Sequence, residues 1–221
     1  MWSILDLGIH WGLQGYTNTS VYFAWWTTPG NDDGNWNCVC NSGLTMGALA
    51  ILGDDPTGMA AQMINYTLPN ALTGCATAPR SDGSWTETPN YWYFGTTVRS
   101  LSNGFLSVYS FRHLLLIKAH AEMTSSLLTA TGSDYGMLTT DPAFNLTGLY
   151  HMYMTGMTSL FNTGDHGPNK YSTTANAMIL YGDKYNYPPY MLFQRDRIDA
   201  AEPNAVFWYN PAVRGKGVKQ V

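Results

Sequence analysis

Apolar residues recur at helical spacing in several short stretches of this chain, each closed by a cluster of Gly, Pro, Asn or Asp. The run Gly43-Leu44-Thr45-Met46-Gly47-Ala48-Leu49-Ala50-Ile51-Leu52 predicts a compact apolar helix, stopped by Gly53-Asp54-Asp55-Pro56. Thr57 stands where it could cap a second helix, Gly58 to Tyr66. Pro69 ends or offsets that helix, because its ring nitrogen has no proton to donate. Further helices are expected from about Ala121 to Thr131, Leu146 to Phe161 and Ser172 to Gly182. The pattern is one of paired, loop-linked helices and not of alternating strands, so the expected fold class is mainly α.

Residues 98–119 break the pattern. They mix strand-like and helix-like signals and differ in character from the sequence on either side. Two explanations stand side by side: a surface loop, which chains accommodate at small entropic cost, or translated non-coding sequence.

Composition narrows the functional classes. A chain of 221 residues can bury most of a sizeable core. Charged residues make up 12% and the net charge is −4, which argues against the basic footprint of a nucleic-acid binder. Aromatic residues reach 14%, and indole and phenol rings suit the flat faces of sugars as well as a packed core. No 18-residue apolar run and no charged-then-apolar leader is present, so neither a membrane span nor a signal peptide is read. Of the three cysteines, Cys38 and Cys40 lie too close in sequence to bridge each other comfortably, and either could pair with Cys75. Asn18-Thr19-Ser20, Asn65-Tyr66-Thr67 and Asn145-Leu146-Thr147 have the form of glycan acceptors, to be used only if the chain enters a secretory pathway.

Candidate chemistry concentrates in two segments, Asn35-Trp36-Asn37-Cys38-Val39-Cys40-Asn41-Ser42-Gly43 and Asp82-Gly83-Ser84-Trp85-Thr86-Glu87-Thr88-Pro89-Asn90-Tyr91-Trp92. They bring amides, a carboxylate, a phenol and indoles to otherwise helical sequence, groups able to hold and deprotonate an acidic sugar. Together with Tyr93-Phe94-Gly95, the second segment resembles the Asp-Gly-x-Trp-x-Glu-Gly-Pro-x-Tyr-Trp-x-Tyr-Gly run of the heparinase II/III-like polysaccharide lyases. The first resembles that family's Asn-Trp or Asn-His motif. Phe161-Asn162-Thr163-Gly164-Asp165-His166 is similar to its Phe-Asn-x-Gly-Asp stretch. Thr88 replaces the usual Gly, Phe94 the second Tyr, and Cys40 a Glu found in many relatives.

The resemblance implies an (α/α) toroid of paired antiparallel helices, incomplete here, and β-elimination on a uronic-acid-containing polysaccharide, heparan-like or alginate-like. Such a reaction removes the C5 proton and expels the C4 oxygen, so it needs donors for the substrate carboxylate and a base. By the resemblance, Asn35 is the carboxylate donor and Tyr91 the catalytic base. Trp36, Asn41, Trp85, Glu87, Trp92 and His166 are expected to bind substrate. The residues alone admit plainer roles: Asn35 as a turn or N-cap residue, Tyr91 as a core aromatic. Asp165 reads as structural. No metal or other cofactor is implied, and His113, His120 and His151 lack a defensible metal-ligand spacing.

The expected organisation is an N-terminal segment with partial helix (1–34), a partial toroid (35–211) interrupted by 98–119, and a linker (212–221) toward the β-sandwich that supplies the family's partner histidine. On that expectation the chain is a truncated member, with the activity placed in an extracellular or secretory full-length parent and this fragment left as either active or inactive. Its partner would be an acidic polysaccharide, with no nucleic acid and no membrane. Two alternatives belong to other classes: a non-catalytic carbohydrate-binding remnant using Trp36, Trp85 and Trp92, or a glycoside hydrolase on the same toroid. The hydrolase needs paired acids across a cleft, and Glu87 with Asp82, Asp165 or Asp183 makes no convincing pair.

Overall fold

A computed structural model describes residues 2–18, 22–30, 34–96, 120–157, 159–161, 163–164, 175–195 and 203–212. Residues 98–119, Asp165 and His166 lie outside them, as do the sequon positions Thr19 and Ser20. The described residues are mainly helical and hold no strand, only isolated bridges between Pro79 and Trp85 and between Thr155 and Leu160.

In chain order, α1 joins Trp2–Ile4, a π-helical stretch Leu5–Ile9, and His10–Thr17. The long helices α2 (Asn35–Ile51) and α3 (Met59–Thr73) follow, then α4 (Pro89–Thr96), α5 (His120–Thr131) and α6 (Thr147–Tyr153). The described chain closes with α7 (Ala177–Lys184), α8 (Pro188–Arg195) and α9 (Pro203–Trp208).

Helices α2 and α3 form an antiparallel pair. Thr45 Oγ1 donates to Thr67 Oγ1 at 2.7 Å, Asn41 Nδ2 to Asn70 Oδ1 at 2.9 Å, and Cys38 is disulfide-bonded to Cys75. As one partner's number falls, the other's rises. Asp55 helps turn the chain between them, its carboxylate accepting from the backbone of Thr57 and Ala60 at 2.8 Å each. In the chain-entropy picture, a crosslink between cysteines 37 residues apart contributes about 4 kcal/mol. Cys40 is the free thiol, and burial pushes its pKa up to about 12, so it is a poor nucleophile.

Two expectations about this pair are corrected. The first helix begins at Asn35 and not at Gly43, so the asparagine-rich segment is its first half. The second continues through Pro69 to Thr73, because α3 packs on α2 beyond the proline through Asn70 and meets the disulfide just past its end. The helix expected over Leu146 to Phe161 is likewise shorter: a 3₁₀ turn, Pro142–Leu146, leads into α6, which ends at Tyr153 before the Thr155–Leu160 bridge.

Two hydrophobic clusters share α2. The smaller packs Leu5, Ile9 and Leu13 of α1 against Ala48, Ile51, Ala60 and Met63. The larger gathers Trp85, Trp92, Leu127, Phe144, Met178, Tyr181 and Tyr190 from both sides of residues 98–119 in sequence. Inside it, His120 stacks on Phe144 with centroids 3.8 Å apart. Its Nε2 lies 2.8 Å from the Met137 carbonyl, which can only accept, so Nε2 carries the proton and Nδ1 accepts from the Tyr181 hydroxyl at 2.9 Å. Burial depresses the His120 pKa to about 4, which fits a neutral core histidine and not a ligand or base.

Candidate functional site

The turn that carries the second motif is built locally. Arg80 N–H donates to Ser84 O at 2.8 Å, Gly83 N–H to Arg80 O at 2.7 Å, and Ser84 N–H to Asp82 Oδ1 at 2.9 Å. Gly83 sits at φ +81°, and a Cβ there would come within 2.5 Å of the Leu146 carbonyl carbon, so both conformation and space demand glycine. The chain then runs through Trp85 and Glu87 into α4.

Glu87 reaches back across sequence to the start of α2. Its Oε2 accepts from the Asn35 backbone N–H at 2.7 Å and from Trp85 Nε1 at 3.1 Å, and its Oε1 accepts from Asn35 Nδ2 at 2.7 Å. Gly34, the residue before the helix, has no side chain to cap it. A carboxylate from 52 residues away therefore does so, where the helix presents unpaired N–H groups and the positive end of its dipole.

The structure thus joins Asn35, Trp85 and Glu87 in one hydrogen-bonded cluster, with Trp36 beside them and half exposed. Asn35 itself is buried and Trp85 is too, its ring lying against Gly95, where a Cβ would come within 2.3 Å. Tyr91, one turn into α4, is half-buried, packs against the larger cluster and lies 6.1 Å from the Phe94 ring.

Two expected binding residues sit elsewhere. Trp92 is fully buried, donates its indole N–H to Thr147 Oγ1 at 2.8 Å and stacks on His151 at 4.5 Å, so neither face is presented to solvent. Asn41 is fully buried in a second polar cluster one and a half turns below Asn35. There its Nδ2 bonds Asn37 and Asn70, and its Oδ1 accepts from the Tyr16 hydroxyl. Asn37 completes that cluster, donating to the Trp26 carbonyl at 3.0 Å and accepting from Cys75 N–H at 2.9 Å. In this conformation both residues hold the fold and offer nothing to a ligand. His166 lies outside the described residues.

Of the acids weighed for hydrolysis, Asp82 accepts from the turn backbone and Asp183 pairs with Lys184 at 3.3 Å on the surface. Backbone and hydroxyl donors from Ser84 hold the Asp82 pKa below its ordinary value. Among the described residues no group of three His, Cys, Asp or Glu could hold a metal ion, and no helix is long and apolar enough to cross a membrane.

Sequence reasoning missed Trp25. It is 42% exposed and meets Trp36, 50% exposed, at 6.0 Å with the rings inclined 63°. The signal was present as the Trp25-Trp26 doublet, but nothing local says that it folds against Trp36. It also missed Asn70, whose amide ties α3 to Asn37, Asn41 and the Thr27 carbonyl. Two surface grooves flank Phe207 and Trp208 of α9, and none of these residues lines either of them.

Comparisons with protein-family models, with curated proteins and with solved structures each find no match to this chain.

Proposed function

We propose that this chain is a polysaccharide-lyase-like protein acting by β-elimination on a uronic-acid-containing polysaccharide, with its helices arranged as part of an (α/α) toroid. One observation carries the reading: the two segments that resemble the lyase motifs, far apart in sequence, meet through Asn35 and Glu87. The antiparallel pairing of α2 with α3 is in keeping with the toroid.

In this mechanism Tyr91 is the base that removes the C5 proton. The C–H electron pair forms the C4–C5 double bond, and the glycosidic oxygen leaves C4 as it takes up the proton that Tyr91 received. Asn35 supplies an uncharged donor to the substrate carboxylate; its amide carries two N–H groups, one of which Glu87 holds. Glu87 also sets a cost. Two carboxylates about 4 Å apart repel by about 4 kcal/mol at an effective dielectric near 20, so a bound uronate must displace Glu87 or keep its distance.

That cost, with the exposed Trp25 and Trp36 rings, favours a second reading in which the chain binds carbohydrate without cleaving it. The deciding measurement is ultraviolet absorbance of the unsaturated product during incubation with a panel of acidic polysaccharides, run beside binding titrations. Product from the wild type that vanishes in Tyr91→Phe supports elimination. Binding without product, weakened at least tenfold in Trp36→Ala, supports the binding reading. Neither product nor binding from folded protein overturns both.

A further inference from the structure

The sequon Asn145-Leu146-Thr147 is the motif that neither functional reading uses, and the fold places it where a glycan can be carried. Asn145 lies in the 3₁₀ turn ahead of α6 and is exposed, as is Leu146 beside it. Its backbone is fixed independently of its side chain: the Tyr190 hydroxyl donates to the Asn145 carbonyl at 2.7 Å, and Asp141 caps the turn through Ala143 N–H at 2.8 Å. A substituent on Asn145 Nδ2 therefore points to water without disturbing a packed group.

A second observation concerns the compartment. The Cys38–Cys75 disulfide joins α2 to the turn after α3 within the buried core. Disulfides of this structural kind form in oxidising compartments, among them the endoplasmic reticulum, where asparagine-linked glycans are attached. From the exposed acceptor and the disulfide together, we propose that Asn145 is an N-glycosylation site of this protein.

The transfer takes a polyprenyl-pyrophosphate-linked oligosaccharide as donor. Asn145 Nδ2 forms a bond to the anomeric carbon, the bond from that carbon to the pyrophosphate oxygen breaks, and the amide releases one proton as the polyprenyl pyrophosphate departs. The structure also fixes the order of events. Thr147, whose hydroxyl the transferase must recognise, is fully buried in the folded chain and accepts from Trp92 Nε1. Transfer precedes the docking of α6 on α4.

The test is secretion of the full chain from a eukaryotic cell behind a signal sequence, followed by peptide mass analysis with and without the amidase that converts glycosylated Asn to Asp. The expected result is conversion of Asn145 to Asp, and loss of the corresponding gel shift in Asn145→Gln but not in Asn18→Gln or Asn65→Gln. A secreted chain with the Cys38–Cys75 bond intact and an unmodified Asn145 peptide overturns the proposal. Because the readout is a mass, it stands or fails separately from any activity on polysaccharide.

Discussion

The first turn of α2 and its middle make an instructive contrast. Asn35 and Asn41 lie in the same asparagine-rich run, and the lyase resemblance marks both as substrate contacts. In the middle, Asn37, Asn41 and Asn70 bond one another, the Tyr16 hydroxyl, the Trp26 and Thr27 carbonyls and the Cys75 N–H. At the first turn, Asn35 depends on Glu87, a carboxylate borrowed from a separate segment. A buried amide whose every partner is fixed is a structural element. Asn35 is buried too, but its side-chain amide is held by a single carboxylate that also accepts from Asn35 N–H and Trp85 Nε1, so a ligand could take it only by displacing Glu87.

The largest expected effect tests the interior cluster. Asn41→Ala leaves the Tyr16 hydroxyl and the Asn37 and Asn70 amides short of partners in a buried site, and stability falls by about 3 kcal/mol. Chemical denaturation reads this as a lower midpoint with unchanged slope; a loss below 1 kcal/mol would show that water enters the cluster.

An effect of similar size extends the contrast to His120. Its folded pKa, about 4, lies below the ordinary value of 6.5, so unfolding takes up a proton between those values. The stability that neutral His120 provides is complete above pH 6.5 and declines as pH falls toward 4, by up to about 3 kcal/mol. Asp55 and Asp82, with folded pKa values lowered below 3.8 by backbone and hydroxyl donors, add their losses only at more acidic pH. Denaturation midpoints across pH 4–7 check this, and His120→Gln is expected to flatten the profile.

The smallest effect belongs to the first turn. Glu87→Gln turns an amide hydrogen toward one of the Asn35 donors and removes a negative charge from the helix N-terminus, costing about 1 kcal/mol. On the proposed function the same change tightens binding of a uronate oligosaccharide, because the opposing charge is gone. Weaker or unchanged binding, measured by calorimetry on folded protein, would separate Asn35 from substrate recognition.

Much of the fold was legible in the chain. The apolar spacing of residues 121–131 gave a helix close to the one observed, and the Gly53-Asp54-Asp55-Pro56 stop marked where α2 ends, because period and breakers are local properties. The start of α2 was not legible, since its cap arrives from Glu87, nor was the passage of α3 through Pro69, since contacts with α2 outweigh a missing backbone bond. For the site, the lyase resemblance and not the residues alone singled out Asn35, Trp36, Glu87 and Tyr91, while the tertiary structure buried Asn35, Asn41, Trp85 and Trp92 and left Trp25 exposed.

Sequence by itself determined a mainly helical chain, the positions of its turns and the two choices for a cysteine partner. Tertiary structure decided that Cys38 takes Cys75, that Glu87 caps α2, and which indoles face water. The physical reason is range. Helical period and turn chemistry act over a few residues, whereas caps, disulfides and burial depend on which distant segments the core brings together.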